Sequence, residues 1–194
     1  MTYRTDTALI VVDVQNDFAD PKGGLYVADG EETVPVVNAE IAAAQAAQAP
    51  VFYTQDWHPP VTPHFAKDGG VWPVHCVAGT WGAELHPELT VDGPVVRKGV
   101  GGEDGYSGFS VRDPVSDDVT ATELDSLLKA RSVRHVVVTG LAGDVCVKAT
   151  ALDAKRLGYS VTVPVAATRF VNLQPGDDAR AVEEMRAAGI DVVE

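Results

Sequence analysis

The sequence predicts an α/β fold of three layers, with a mostly parallel, Rossmann-like central sheet between helices. Two observations predict it. Short β-branched runs alternate with longer stretches of helical composition along the whole chain, the pattern of strands joined by crossover helices. Several of those runs also stop at a charged residue or a glycine, among them Asp13, Lys98 and Gly140, and in open parallel sheets the carboxyl ends of strands carry the ligand site. With no internal repeat and no linker, residues 1–194 read as a single domain.

Ala8 to Val12 reads as a buried strand ending at Asp13. Glu31 to Gln48 is Ala-rich and helical, with Pro35 tolerable only near its start. Pro50 to Gln55 is a second strand beside Asp56, and Val95 to Lys98 a short third. Thr122 to Ala130 is a helix with Thr122 as N-cap and Asp125 three residues on. Val133 to Thr139 is the strongest strand pattern. Val147 to Leu157 is helical and stops at Gly158. Tyr159 to Val165 is a strand, Asp177 to Ala188 a helix ending at Gly189, and Ile190 to Val193 a last strand. Trp57 to Pro94 shows no regular element, only Pro, Gly, His and Trp in quantity. A loop that long is functional or disordered. Trp57, Trp72 and Trp81 argue against disorder, and a bound metal would order it.

Charge narrows the partners. A formal net charge of -13 argues against nucleic acid and anionic membrane. No run approaches the ~18 apolar residues of a membrane span, and Met1 to Asp6 does not open a signal peptide. Two cysteines, Cys76 and Cys146, make no disulfide framework, so a reducing cytoplasm is the expected setting. A homo-oligomer is compatible with the sequence.

Cys146 follows the strand that stops at Gly140 and opens a helical stretch. Free backbone N–H groups and the helix dipole at such a turn favour a thiolate, the nucleophilic form. Asp13 and Lys98, at two other predicted strand ends, could complete a nucleophilic triad: a carboxylate to take the thiol proton and an ammonium to hold the thiolate. Each has a plainer reading, as a capping carboxylate, a solvated charge and a buried small hydrophobe. Asp56 and His58, with His64 and His75 downstream, form a candidate metal site. On extended backbone Asp56 and His58 point the same way, and imidazole with carboxylate suits one divalent ion, zinc, iron or manganese. Adjacent residues point apart, so Cys76 beside His75 reads as a buried structural thiol. His86 and His135 receive no role. The stretch from Lys98 to Phe109 is glycine-rich but is no P-loop, since its lysine precedes the glycines. It is either a plain surface loop or one that places Tyr106 or Phe109 over a ligand.

Taken together, Val11-Val12-Asp13-Val14-Gln15-Asn16-Asp17-Phe18, Thr54-Gln55-Asp56-Trp57-His58-Pro59, Trp72-Pro73-Val74-His75-Cys76-Val77, Arg97-Lys98-Gly99 and Gly140-Leu141-Ala142-Gly143-Asp144-Val145-Cys146-Val147 resemble the isochorismatase-like cysteine hydrolases and, within them, the nicotinamidases and pyrazinamidases. The resemblance implies a triad of Asp13, Lys98 and Cys146. It implies a divalent metal on Asp56, His58 and His75, with His64 where some members supply a further ligand. It implies an aromatic slot lined by Phe18, Trp72 and Tyr106, an oxyanion hole from the Ala142 and Cys146 N–H groups, and a cis Leu141–Ala142 peptide. The implied reaction is metal-dependent hydrolysis of a small aromatic amide, nicotinamide or pyrazinamide, through a thioester. The alternative is a metal-free amidase of the same superfamily acting on another small amide or carbamoyl compound. Two positions depart from the family pattern: Gly143 where Thr is frequent, and Val145 where an aromatic residue or His is common.

Overall fold

The computed structural model describes residues 1–194. Strands β1 (Thr7–Val12) and β2 (Val51–Asp56) are buried at every position, as continuous apolar runs in the middle of a parallel sheet must be. They are joined by β3 (Val95–Lys98), β6 (His135–Leu141), β7 (Ser160–Pro164) and β9 (Asp191–Val193), in the order β3-β2-β1-β6-β7-β9, with every pairing parallel. The predicted α/β architecture is therefore the observed one. A two-residue strand, β8 (Thr168–Arg169), takes over the edge of β6 where β7 leaves it. Between β3 and β6 lies an antiparallel hairpin outside the main sheet, β4 (Ser110–Arg112) and β5 (Val119–Ala121). Neither β8 nor the hairpin is apparent in the sequence, because two- and three-residue strands are too short to show a period.

Successive side chains on a strand point to opposite faces, and the two cores follow that alternation. After the single-turn α1 (Asn16–Ala19) comes α2 (Thr33–Ala46), and Leu9, Val11, Tyr53 and Val137 pack with its Val34, Val37, Ile41 and Ala44. Ala8, Ile10, Val12, Phe52, Val136 and Val138 pack on the other face, against α3 (Leu124–Ala130), α4 (Lys148–Arg156) and α5 (Asp177–Ala187). Pro35 sits in the first turn of α2, where no intrahelical donor is needed. Several expected boundaries move by one or two residues. α3 starts at Leu124, and the Thr122 hydroxyl still caps it, accepting from the Leu124 N–H at 3.3 Å while donating to the Gly108 carbonyl at 2.6 Å. The strand expected over Val133–Thr139 runs two residues later, in register from Thr7↔His135 to Val12↔Gly140.

The order reverses between β1 and β6, with connections that leave toward opposite faces. That is the switch point at which an open α/β sheet leaves a crevice. The carboxyl ends of β1, β2, β3 and β6 all open there. The segment 57–94 covers them with only two 3-10 turns, Ala66–Asp68 and Trp81–Ala83, and isolated bridges such as His58↔Val77. Polar side chains hold it down. The Gln15 amide donates to the Asp56 and Ala83 carbonyls and accepts from the Asp56 N–H, each at 2.8 Å. The Asp17 carboxylate accepts from the Cys76 N–H at 2.6 Å. No helix is long and apolar enough to cross a membrane.

Candidate active site

Three buried charged or ionisable side chains meet at the crevice. Asp13 immediately follows β1 with a φ of +47°, a left-handed conformation that Asp tolerates better than most residues. Lys98 ends β3, directly opposite Asp56 at the end of β2. Its ammonium lies 2.6 Å from Asp13 Oδ2, 2.5 Å from Asp56 Oδ1 and 3.9 Å from Cys146 Sγ, and donates to the Gly105 carbonyl. Asp13 Oδ1 accepts from the Thr54 hydroxyl at 2.6 Å. Cys146 lies on a single π turn, Gly143–Val147, between β6 and α4.

Burial dominates the ionisation of this group. It raises the Asp13 carboxyl to about 6, against the opposing pull of Lys98. It also acts to raise Asp56, but Lys98 and His58 outweigh it and hold that carboxyl below the usual range. Lys98, penalised by burial, is held strongly as an ammonium by Asp13 and Asp56. Cys146 departs from the sequence expectation that its turn and Lys98 favour the thiolate. Burial pushes its thiol well above the ordinary value, and Lys98 does not overcome this. The resting pair is a thiol beside a carboxylate.

One ring nitrogen from each of His58, His64 and His75 lies within 4.8 Å of the other two. Asp56 Oδ2 is 3.8 Å from His58 Nε2 and 3.9 Å from His75 Nε2. The three rings are buried. Both nitrogens of His58 lack any hydrogen-bond partner, an arrangement that is costly unless something else occupies the lone pair. His75 Nδ1 is tied to the Pro73 carbonyl at 2.7 Å, and His64 Nδ1 to Asp104 Oδ1 at 2.6 Å, which leaves each Nε2 for the cluster. Burial lowers His75 to about 4 and lowers His64 as well, so both are neutral imidazoles, the form that binds a metal. The donor set fits one divalent cation of the zinc, iron or manganese type.

Cys146 of the first group and Asp56, His64 and His75 of the second line one cavity enclosing about 390 Å³, its open mouth included, with Asp13, Lys98 and His58 buried behind them. Phe18, Trp72 and Tyr106 line it, with Trp72 Nε1 donating to the Tyr106 hydroxyl at 2.9 Å. Ala142 and Cys146 form the wall at the π turn, and the Leu141–Ala142 peptide is cis. Aliphatic side chains complete the lining, Val145 among them. Phe109 goes elsewhere: it packs in the core on the helical face, stacked on Tyr159. Cys76 is fully buried within the loop and is not one of the clustered ligand residues. His135 bonds Thr162 at the far end of β6, and His86 accepts from the Glu88 N–H; neither reaches the cavity.

The structure accounts for Gly143. A Cβ there would lie 2.6 Å from the Phe170 ring, so the missing side chain admits an aromatic residue against the π turn. Sequence reasoning missed Gln15, Thr54 and Asp104, whose only signal is a polar residue type next to a predicted strand end or inside a glycine-rich stretch.

The comparisons with known proteins agree with this geometry. An Isochorismatase domain model matches residues 7–194. An Escherichia coli nicotinamidase is 40% identical, over 94% of this chain and 92% of its own. A Mycobacterium tuberculosis nicotinamidase/pyrazinamidase is 38% identical, over 96% and 97%. Among solved structures, the pyrazinamidase of Pyrococcus horikoshii in complex with zinc superposes with a TM-score of 0.86 at 37% identity, covering 97% of this chain and 99% of that one. PnC1 from L. infantum in complex with nicotinate gives 0.90 at 34%, covering 100% and 96%. Full-length coverage at these identities, together with the matched domain, shows that the chain belongs to the isochorismatase family and groups there with the nicotinamidases and pyrazinamidases.

Proposed function

We propose that this protein hydrolyses nicotinamide to nicotinate and ammonia through a thioester on Cys146, and that it accepts pyrazinamide by the same route. The observation that carries the reading is a thiol on the wall of a small aromatic cavity, backed by a buried carboxylate and ammonium and facing a histidine cluster on the same cavity. Relatives named for this reaction, one solved with nicotinate and one with zinc, support it.

Asp56, His58 and His75, with His64 as a fourth protein ligand, would hold one divalent ion, zinc in the first instance. When bound, such an ion is a Lewis acid that anchors the pyridine nitrogen, directly or through water. Phe18, Trp72 and Tyr106 hold the ring plane, which sets the carboxamide over the sulfur. Asp13 accepts the thiol proton as Sγ attacks the carbonyl carbon. The carboxyl raised to about 6 is matched to that task. Lys98 balances the negative charge that then sits on the sulfur. The N–H groups of Ala142 and Cys146 receive the oxyanion, each such donor being worth about 3 kcal/mol. The tetrahedral intermediate collapses as Asp13 returns the proton to the leaving nitrogen, and ammonia departs. Asp13 then takes a proton from water, the resulting hydroxide attacks the thioester, the proton goes back to the departing thiolate, and the nicotinic acid released gives its own proton to solvent to become nicotinate.

The test is ammonia release from nicotinamide by purified protein before and after chelation. Release that is lost on chelation and restored by zinc supports the proposal. No release from metal-loaded protein overturns it, and release indifferent to chelators points to the metal-free amidase instead.

A further inference from the structure

The segment Asp104–Tyr106 touches every part of the site from one short stretch of chain. Asp104 Oδ1 bonds His64 Nδ1 at 2.6 Å, the Gly105 carbonyl accepts from the Lys98 ammonium, and Tyr106 stands on the cavity wall. The close approach depends on glycine: a Cβ at Gly105 would lie 2.8 Å from Asp56 Oδ1 and 3.3 Å from Lys98 Cγ. The other end of the Asp104 carboxylate is also engaged, because Oδ2 accepts from the Arg112 guanidinium at 2.8 Å. Arg112 belongs to the β4–β5 hairpin, and its backbone is paired with that of Asp104 in both directions, at 2.8 and 3.0 Å. The carboxylate is thus clamped at both oxygens and has one orientation available. It lies only 5% exposed, against a ring that is 4% exposed.

We propose that Asp104 is a positioning residue for the metal centre: clamped by Arg112, it holds His64 with the proton on Nδ1 and the Nε2 lone pair turned into the cluster of His58 and His75. The inference rests on the metal-binding reading given under Proposed function. A carboxylate accepts only, so the bond to His64 requires Nδ1–H and leaves Nε2 as the free donor atom. Such an outer contact sets the tautomer and ring orientation of a ligand and raises its basicity; its loss costs about 10- to 100-fold in metal affinity. The hairpin, which contributes nothing to the main sheet, then has a place in the site: it carries the cation that fixes Asp104.

The experiment measures zinc affinity by competition with a chromophoric chelator, and the visible spectrum of the cobalt-substituted protein, for the wild type, Asp104→Ala, Asp104→Asn, His64→Ala and the Asp104→Ala/His64→Ala pair. Asp104→Ala should weaken zinc about 10- to 100-fold and shift the cobalt bands. Asp104→Asn, which keeps an acceptor, should recover part of the loss. The double variant should bind no more weakly than His64→Ala alone, since the effect passes through that ring. Unchanged affinity and bands in Asp104→Ala, or additive losses in the pair, would overturn the proposal. Should Asp104→Ala fail to fold, long-range ¹H–¹⁵N spectra of the wild type decide: a His64 protonated on Nδ1 supports it and one protonated on Nε2 refutes it. None of these readouts requires turnover. Weakened zinc binding in a protein that releases no ammonia from nicotinamide would leave the positioning role standing while the substrate assignment fell.

Discussion

The two halves of the site are built by different means. Asp13, Lys98 and the turn before Cys146 sit at the ends of strands, placed by parallel pairing that no single side chain controls. His58, His64 and His75 sit on a segment with no strand and no α-helix, held by individual contacts from Gln15, Asp17 and Asp104. Register in a buried sheet is all-or-none, because a slip of one residue turns every side chain to the wrong face. A loop held by polar contacts can lose them one at a time. The reactive half is therefore expected to be rigid without metal, and the histidine half to be adjustable. Asp56 belongs to both: it ends a strand, gives one oxygen to Lys98 and turns the other toward the histidines.

The largest expected effect separates the halves. Cys146→Ala should lower kcat on the order of 10⁴-fold or more and leave metal content per chain unchanged, since Sγ is no part of the histidine cluster. Turnover assays beside elemental analysis of the same sample check it. Near-normal activity would end the covalent mechanism, and loss of metal would show that the halves are not independent.

Lys98→Met attacks the junction. The ammonium lies between two buried carboxylates, Asp13 and Asp56, and removing it leaves both uncompensated. Breaking a buried pair in this way costs about 3–5 kcal/mol of stability. The loss should appear in urea unfolding at neutral pH and shrink at low pH, where the carboxylates take up protons. A variant as stable as the wild type would mean that the two acids do not depend on Lys98 for their charge.

The same contrast explains what could be read from the chain. The strand ends were legible because β-branched runs such as Val136–Thr139 stop abruptly and a chemically distinctive residue follows. His58 and His75 were legible from residue type and crowding. The tethers were not. Asp104 stands in a glycine-rich stretch that reads equally well as a surface loop, and the hairpin carrying Arg112 has strands of three residues, below the length at which alternation shows. The ionisation of Cys146 is not legible for a related reason. Sequence shows the helix that follows a cysteine, but the depth of burial that outweighs Lys98 emerges only once the sheet, the loop and the π turn close over it.

A third prediction sharpens the account of the reactive half. Asp13 must be unprotonated to take the thiol proton, and burial raises its carboxyl to about 6. Below that pH the protonated acid cannot serve as base, so kcat/KM should fall about tenfold for each further pH unit. Above it, this limb should be flat. A pH profile of kcat/KM for nicotinamide on metal-loaded protein tests this, with metal content followed at each point. An acid limb near pH 4 with metal retained would remove Asp13 from the role.

The smallest effect is expected on the reactive half alone, where the turn of the nucleophile meets the connection between β8 and α5. Gly143 belongs to the nucleophile's own turn, and Phe170 packs where a side chain at 143 would stand. The next residue, Val171, lines the cavity, with its N–H bonded to Asp144 Oδ1 at 2.9 Å. Gly143→Thr therefore pits a rigid turn against a strand-to-helix connection held by few contacts, and the connection should yield. Overpacking of this kind costs about 1–3 kcal/mol, and displacement of Val171 should raise KM for nicotinamide more than it lowers kcat. Phe170→Ala in the same chain removes the opposing ring and should restore most of the stability, giving a strongly non-additive cycle. An additive cycle would show that Phe170 does not meet the new side chain, and that the tolerance of glycine at this turn has another cause.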